Sequence, residues 1–267
     1  LRTETAEPYK ITSWTLYYAP DLDPALGGPV AEDELGLYAY DPYFGGLVVG
    51  AEVEAVDRET GESFDPPVTT TTAEGYGWAR MTLPAGVDEV GLRVTAPDGT
   101  VTRAYSGLAA PGRWNTMVPA FPEEALADYL ETLEIVEEPG TGVLWGFVQW
   151  MDIDENPFTP PDPTLPDSYI GCAVLSFDPA GPQAMYSEPN NGWPLPEATT
   201  THPDYSTWWA YNVPDAPLTV TTTTDDGVVD VVIPMIEPGA ITTVDHLFTP
   251  PAFATNPEPD GCEQGIE

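Results

Sequence analysis

Thr70-Thr-Thr-Ala-Glu-Gly-Tyr-Gly-Trp-Ala-Arg-Met-Thr-Leu-Pro84 returns later in the chain, with one insertion, as Thr199-Thr-Thr-His-Pro-Asp-Tyr-Ser-Thr-Trp-Trp-Ala-Tyr-Asn-Val-Pro214. Each copy runs from a threonine triplet, through a turn, into a tryptophan-bearing run that ends on proline. Short runs of Thr, Val, Tyr and Trp bounded by Pro, Gly and Asp are strand material. Three further blocks recur in the same order. Ser13–Asp21 matches Leu144–Asp152, Gly50–Asp57 matches Gly171–Asp178, and Leu92–Gly99 matches Leu218–Gly227. Four blocks in one order at nearly constant offset mark a duplicated unit.

Strand-like runs at Ile11–Tyr18, Leu47–Val56, Tyr76–Leu83 and Val90–Ala96 are short, several alternate in polarity, and the 32 prolines are scattered between such runs. That pattern predicts an all-β chain of two tandem antiparallel β-sandwich domains. One segment departs from it. Pro122-Glu-Glu-Ala-Leu-Ala-Asp-Tyr-Leu-Glu-Thr-Leu-Glu134 carries a proline at its start, acids in its first turn and an apolar stripe of Leu126, Tyr129, Leu130 and Leu133, which predicts a helix. The expected division is a first sandwich over 1–121, a helical connector over 122–138 and a second sandwich over 139–267.

Gly-Ala-x-Val at residue 50, a turn, a threonine-rich strand, a glycine and a closing proline resemble the carboxypeptidase-regulatory-like group of transthyretin-like sandwiches. The resemblance covers roughly 44–105 and 166–233; the second copy departs from it at Tyr205-Ser206, where a turn glycine is expected. It implies seven- or eight-stranded domains that serve as non-catalytic modules in exported proteins.

Seven Lys and Arg face 44 Asp and Glu, a formal net charge of −37, and no Lys or Arg follows Arg113. Such a field repels nucleic acid and anionic membrane surfaces and attracts cations. Self-repulsion on this scale is relieved by salt or by bound divalent ions. A hydrophobic share of 42% supports a packed core, and no run approaches the ~20 apolar residues of a membrane span. A chain that opens at Leu1 fits removal of a signal peptide or lipoprotein leader, or trimming from something longer. Two cysteines in an exported chain predict one disulfide, Cys172–Cys262, pinning the C-terminal tail.

Paired aspartates recur after the opening strand of each half, Asp21 with Asp23 and Asp152 with Asp154. Asp152, Asp154 and Asn156 have the 1-3-5 spacing of a calcium loop, although Pro157 and Pro163 replace the Gly and Glu of an EF-hand. These five residues are the candidate Ca²⁺ ligands; no other cofactor is expected. Trp150, Trp193, Trp208 and Trp209 are candidates for stacking on a glycan. Adjacent Trp208 and Trp209 must face opposite sides of a strand, so one is expected at the surface or an interface. Trp14 and Trp145 are expected in the cores. His202 and His246 sit in no nucleophile or zinc motif. The expected function is an exported, non-enzymatic structural or adhesive surface protein, extracellular or periplasmic, whose partner is another extracellular protein or itself. A calcium- or carbohydrate-binding module is the alternative, and a carboxylate-dependent hydrolase the second.

Overall fold

A computed structural model of the chain describes residues 30–42, 46–73, 78–104, 109–112, 116–150, 170–188, 194–202, 206–225, 227–244 and 246–248. The first half forms β1 (Glu34–Asp41), β2 (Gly46–Leu47), β3 (Glu52–Asp57), β4 (Ser63–Thr71), β5 (Trp78–Thr82), β6 (Val90–Thr95), β7 (Val101–Ala104) and β8 (Thr116–Pro119). Helix α1 (Glu123–Thr132) follows. The second half forms β9 (Thr141–Trp150), β10 (Val174–Asp178), β11 (Met185–Ser187), β12 (Pro194–Leu195), β13 (Thr207–Pro214), β14 (Thr219–Thr223), β15 (Val229–Val232), β16 (Ile241–Thr243) and β17 (His246–Phe248).

The fold is all-β, two sandwiches in tandem with one helix between them. In the first, β1 lies between antiparallel β5 and parallel β8, and faces the sheet β4-β3-β6-β7. Alternate residues of these strands, among them Leu35, Leu37, Val53, Met81, Leu92 and Val94, fill the space between. The second sandwich repeats the plan. Strand β9 lies between antiparallel β13 and parallel β16, and the facing sheet is β10-β14-β15. Leu144, Leu175, Trp208, Ala210 and Val220 fill its core.

Buried polar detail repeats as well. Thr72 Oγ1 accepts a hydrogen bond from the Ala51 amide and donates to the Val48 carbonyl. Thr201 Oγ1 accepts from the Ala173 amide and donates to the Ile170 carbonyl. These clamps make Ala51 equivalent to Ala173, and hence Gly50 equivalent to Cys172. The sequence match of Gly50 with Gly171 is therefore one residue out of register. Glycine identity misleads there because both true counterparts take the left-handed conformation, Gly50 at φ 82° and Cys172 at φ 57°. The Ala96–Gly99 and Thr224–Gly227 turns also match, with the Gly99 amide donating to Ala96 and the Gly227 amide to Thr224. Within the described residues the counterpart of β9 is β1, whereas the sequence paired it with 13–21, which lies outside them.

The halves are not separately closed. Strand β16 pairs in parallel with β9 on one side and with β7 of the first sandwich on the other. One continuous sheet therefore runs through both sandwiches.

Helix α1 forms where its stripe predicts, between the two sandwiches, and it packs on a sheet. Leu126, Tyr129, Leu130 and Leu133 join Phe121, Trp145, Trp209 and Tyr211 on the outer face of β9 and β13. The Tyr129 and Trp209 rings lie 4.8 Å apart, and Trp209 stacks on Tyr211 at an interplanar angle of 5°. Asp98, from the first sandwich's β6–β7 turn, accepts the Glu123 amide at 2.8 Å and so caps the helix. Glu134 ends it in a left-handed conformation, with the Ile135 amide returning to the Leu130 carbonyl.

Candidate functional site

The junction between the sandwiches is the most heavily built polar feature among the described residues. Period-two alternation points Glu54, Arg93 and Arg103 outward from β3, β6 and β7, and strand register aligns them in one row. Two arginines side by side need a counter-charge. Glu237, on the segment leading into β16, supplies it. Arg93 Nη2 donates to Glu237 Oε1 at 3.2 Å and Arg103 Nε donates to Oε2. Partial burial alone would raise the Glu237 carboxyl, but hydrogen bonds from Arg93 and Arg103, and then their charges, outweigh it and hold the pKa below the ordinary value. The same segment adds Thr243 Oγ1 donating to the Arg103 carbonyl. Gly142 and Gly146 let β9 approach this segment: a Cβ on Gly142 would lie 2.7 Å from the Glu237 carbonyl oxygen, and one on Gly146 would collide with that of Val244.

A second feature lies on the far sheet of the second sandwich. Register aligns Val174, Thr223 and Val229 in one row and Ser176, Thr221 and Val231 in the next, all pointing outward. Val174, Val229, Val231 and the following Ile233 stand exposed.

A third is a cleft of about 440 Å³ lined by Tyr211, Met185, Ile135, Leu218 and several prolines. Asn212 shapes one rim, accepting the Glu138 amide and donating to the Val136 carbonyl. The cleft holds a single carboxylate, Glu138. Burial, and then neighbouring Tyr129, push the Tyr211 phenol up, so it stays neutral. A glycoside hydrolase needs two carboxylates a few ångströms apart, one with a raised pKa; this lining has no such pair. Among the described residues, the carboxylates that depart from their ordinary values, Asp57, Asp98 and Glu237, all move down.

Of the residues singled out from sequence, Trp14, Asp21, Asp23, Asp152, Asp154, Asn156, Trp193 and Cys262 lie outside the described residues. Among the described residues no three His, Cys, Asp or Glu side chains gather to hold a metal ion. Trp150 closes β9 in register with Phe248. Cys172 is not a free thiol. Trp208 and Trp209 are 0% and 1% exposed, so the expectation that they stack on a glycan is corrected. Strand alternation sends Trp208 into the second sandwich's core and Trp209 under α1, so the interface expected for one of them is the helix–sheet contact. Trp145 is buried beside Trp209. Sequence reasoning missed the Arg93–Glu237–Arg103 junction. Its readable trace is a pair of arginines either side of the Asp98-Gly99 turn, at positions that a tight hairpin sets opposite each other.

No described helix is long and apolar enough to cross a membrane. No family model matches the chain, and no curated protein matches it. Among solved structures it is similar to a minor pilin of the Gram-positive pathogen Streptococcus agalactiae, at 9% identity and a TM-score of 0.26, over 84% of this chain and 99% of that one. It is similar also to the shaft pilin SpaA of Lactobacillus rhamnosus GG, at 11% identity and a TM-score of 0.24, over 83% and 98%. A streptococcal ancillary pilin aligns over 82% of this chain and 62% of its own, at 10% identity and a TM-score of 0.22. Likenesses this distant transfer neither function nor partner.

Proposed function

We propose that this chain is an exported, non-enzymatic structural or adhesive protein of the cell surface or extracellular space. Its partner in this reading is another extracellular protein or a further copy of itself. The observation that supports it most is the junction: β16 belongs to both sandwiches, and Glu237 ties two arginines across them. Two domains sharing a sheet have no free hinge between them. That suits a part that holds its shape under load better than one that closes on a substrate. In calorimetry the two sandwiches should unfold in one transition, with calorimetric and van't Hoff enthalpies equal. Two independent transitions, or turnover of a glycan or peptide substrate, would overturn the reading.

A calcium-binding module is the second reading, favoured by the 1-3-5 spacing of Asp152, Asp154 and Asn156 and by the matched pair Asp21 and Asp23. At about 100 times its Kd, Ca²⁺ should add roughly 2.7 kcal/mol per site. The rise should vanish in EDTA and in Asp152→Asn with Asp154→Asn. An equal rise in NaCl of matched ionic strength would mean screening of self-repulsion instead. Within either reading, Trp150 and Trp193 are the remaining glycan candidates, and Cys172 pairs with Cys262, which intact-mass analysis before and after reduction tests. Membership of the carboxypeptidase-regulatory-like group rests on the Gly50-Ala-x-Val and threonine-strand blocks alone.

A further inference from the structure

Seven large hydrophobic side chains stand exposed among the described residues, and four of them, Val174, Val229, Val231 and Ile233, belong to one outer sheet face. Thr219, Thr221 and Thr223 run between them, and the two central rows hold no ionisable group. Asp178 stands at the end of the face, and Asp230 is directed to the opposite side by strand alternation. In a chain of net charge −37, a neutral face of this make-up is out of keeping with the rest of the surface.

The duplicated plan adds a second observation. The clamps and turns set Ser176, Thr221 and Val231 in the places that Glu54, Arg93 and Arg103 occupy in the first sandwich. There, the row is where the other unit of the chain seats itself, through Glu237 and β16. The equivalent row of the second sandwich lies beside the edge strand β15, and β15 pairs only with β14 among the described residues.

We propose that the outer face of β10-β14-β15 is the contact between two copies of this chain. The inference rests on the structural reading above and names its surface. Charge selects the occupant. A basic partner is drawn to the acids, which this face lacks. A second copy, repelled elsewhere by like charge, can approach closely only where both present uncharged side chains. Rows of Val and Thr are self-complementary and can pack face to face as sheets do, about 10 Å apart. Apolar burial then supplies the attraction and salt removes the opposing repulsion.

Sedimentation equilibrium on the full chain tests this, at concentrations up to about 1 mM, the Kd range of a weak contact. The chain should be monomeric at low salt and dimeric at about 1 M NaCl, where the Debye length is about 3 Å. Thr221→Glu and Val231→Glu should each weaken the dimer at least tenfold, with unchanged far-ultraviolet circular dichroism and melting. Val136→Glu, at an exposed site away from this face, should leave it intact. A monomer under every condition overturns the proposal, as does a dimer indifferent to both face variants. None of these outcomes alters the single unfolding transition, so the structural reading can survive the loss of this one.

Discussion

In the first sandwich Glu54, Arg93 and Arg103 stand in one row across β3, β6 and β7; in the second, Ser176, Thr221 and Val231 hold the same places across β10, β14 and β15. Everything that fixes those places is shared. The Thr72 and Thr201 clamps have the same partners at each end, and the Ala96–Gly99 and Thr224–Gly227 turns make the same bonds. The inward residues therefore set the plan twice, and the outward residues of the same strands are free to differ. In one copy they became a charged socket that the chain itself occupies. In the other they became a neutral face left open.

The hardest way to break the comparison is to separate the two units. Gly146→Ala places a methyl against the Val244 carbonyl, one residue beyond β16 and opposite Trp208. Backbone cannot yield there without moving β16 off β9 or β7. A loss of more than about 3 kcal/mol is expected, together with a split of the single melting transition into two. A stable Gly146→Ala with one transition would mean that β16 does not hold the sandwiches together.

The equivalence of the clamps is sharpened by treating both alike. Thr72→Val and Thr201→Val keep shape but leave the Ala51 or Ala173 amide, both fully buried, without its acceptor. Each should cost about 2 kcal/mol by denaturant titration. Costs that differ severalfold would show that the two clamps share geometry without sharing a role.

How much of this was legible beforehand follows the range of each interaction. Local, periodic features read well. The stripe of Leu126, Tyr129, Leu130 and Leu133 placed α1, strand alternation split Trp208 from Trp209, and the four matched blocks announced the duplication. The register slip at Gly50 and Cys172 was not legible, because a left-handed cysteine carries no mark in the sequence. The junction was hidden for a different reason. Arg93 and Glu237 are 144 residues apart, and β16 is three residues, Ile241-Thr-Thr243, too short to register as the strand that joins two domains. Long-range pairing depends on the assembled sheets, and no local pattern encodes it.

Glu237→Gln tests the charged socket at smaller cost. The side chain keeps its size and loses its charge, leaving Arg93 and Arg103 opposed. All three groups are partly exposed, so the expected loss is about 1–2 kcal/mol at neutral pH. The pH dependence gives the sign. The folded Glu237 carboxyl lies below its ordinary value, so its contribution is full above the unfolded pKa near 4.3 and fades as pH falls through the folded one. Wild type and variant should draw together as pH falls below the unfolded pKa and meet once the folded carboxyl is protonated. A gap that persists in acid would mean that the substitution disturbs packing and not charge.

The smallest effect asks whether Gly50 and Cys172 are equivalent in more than position. Both need positive φ, which costs an L-residue roughly 1 kcal/mol. A Cβ on Gly50 would meet only Pro97 Cγ, at an ordinary 3.8 Å, so space is no obstacle and the backbone alone decides. Gly50→Ala should therefore lose about 1 kcal/mol, and Gly50→Asn only a few tenths, since asparagine tolerates this region. Under reducing conditions Cys172→Gly should move the other way, gaining up to about 1 kcal/mol by releasing the same strain. A Gly50→Ala variant as stable as wild type would mean that the first clamp can re-form around a right-handed residue, and the turn would then owe its shape to Thr72 rather than to Gly50.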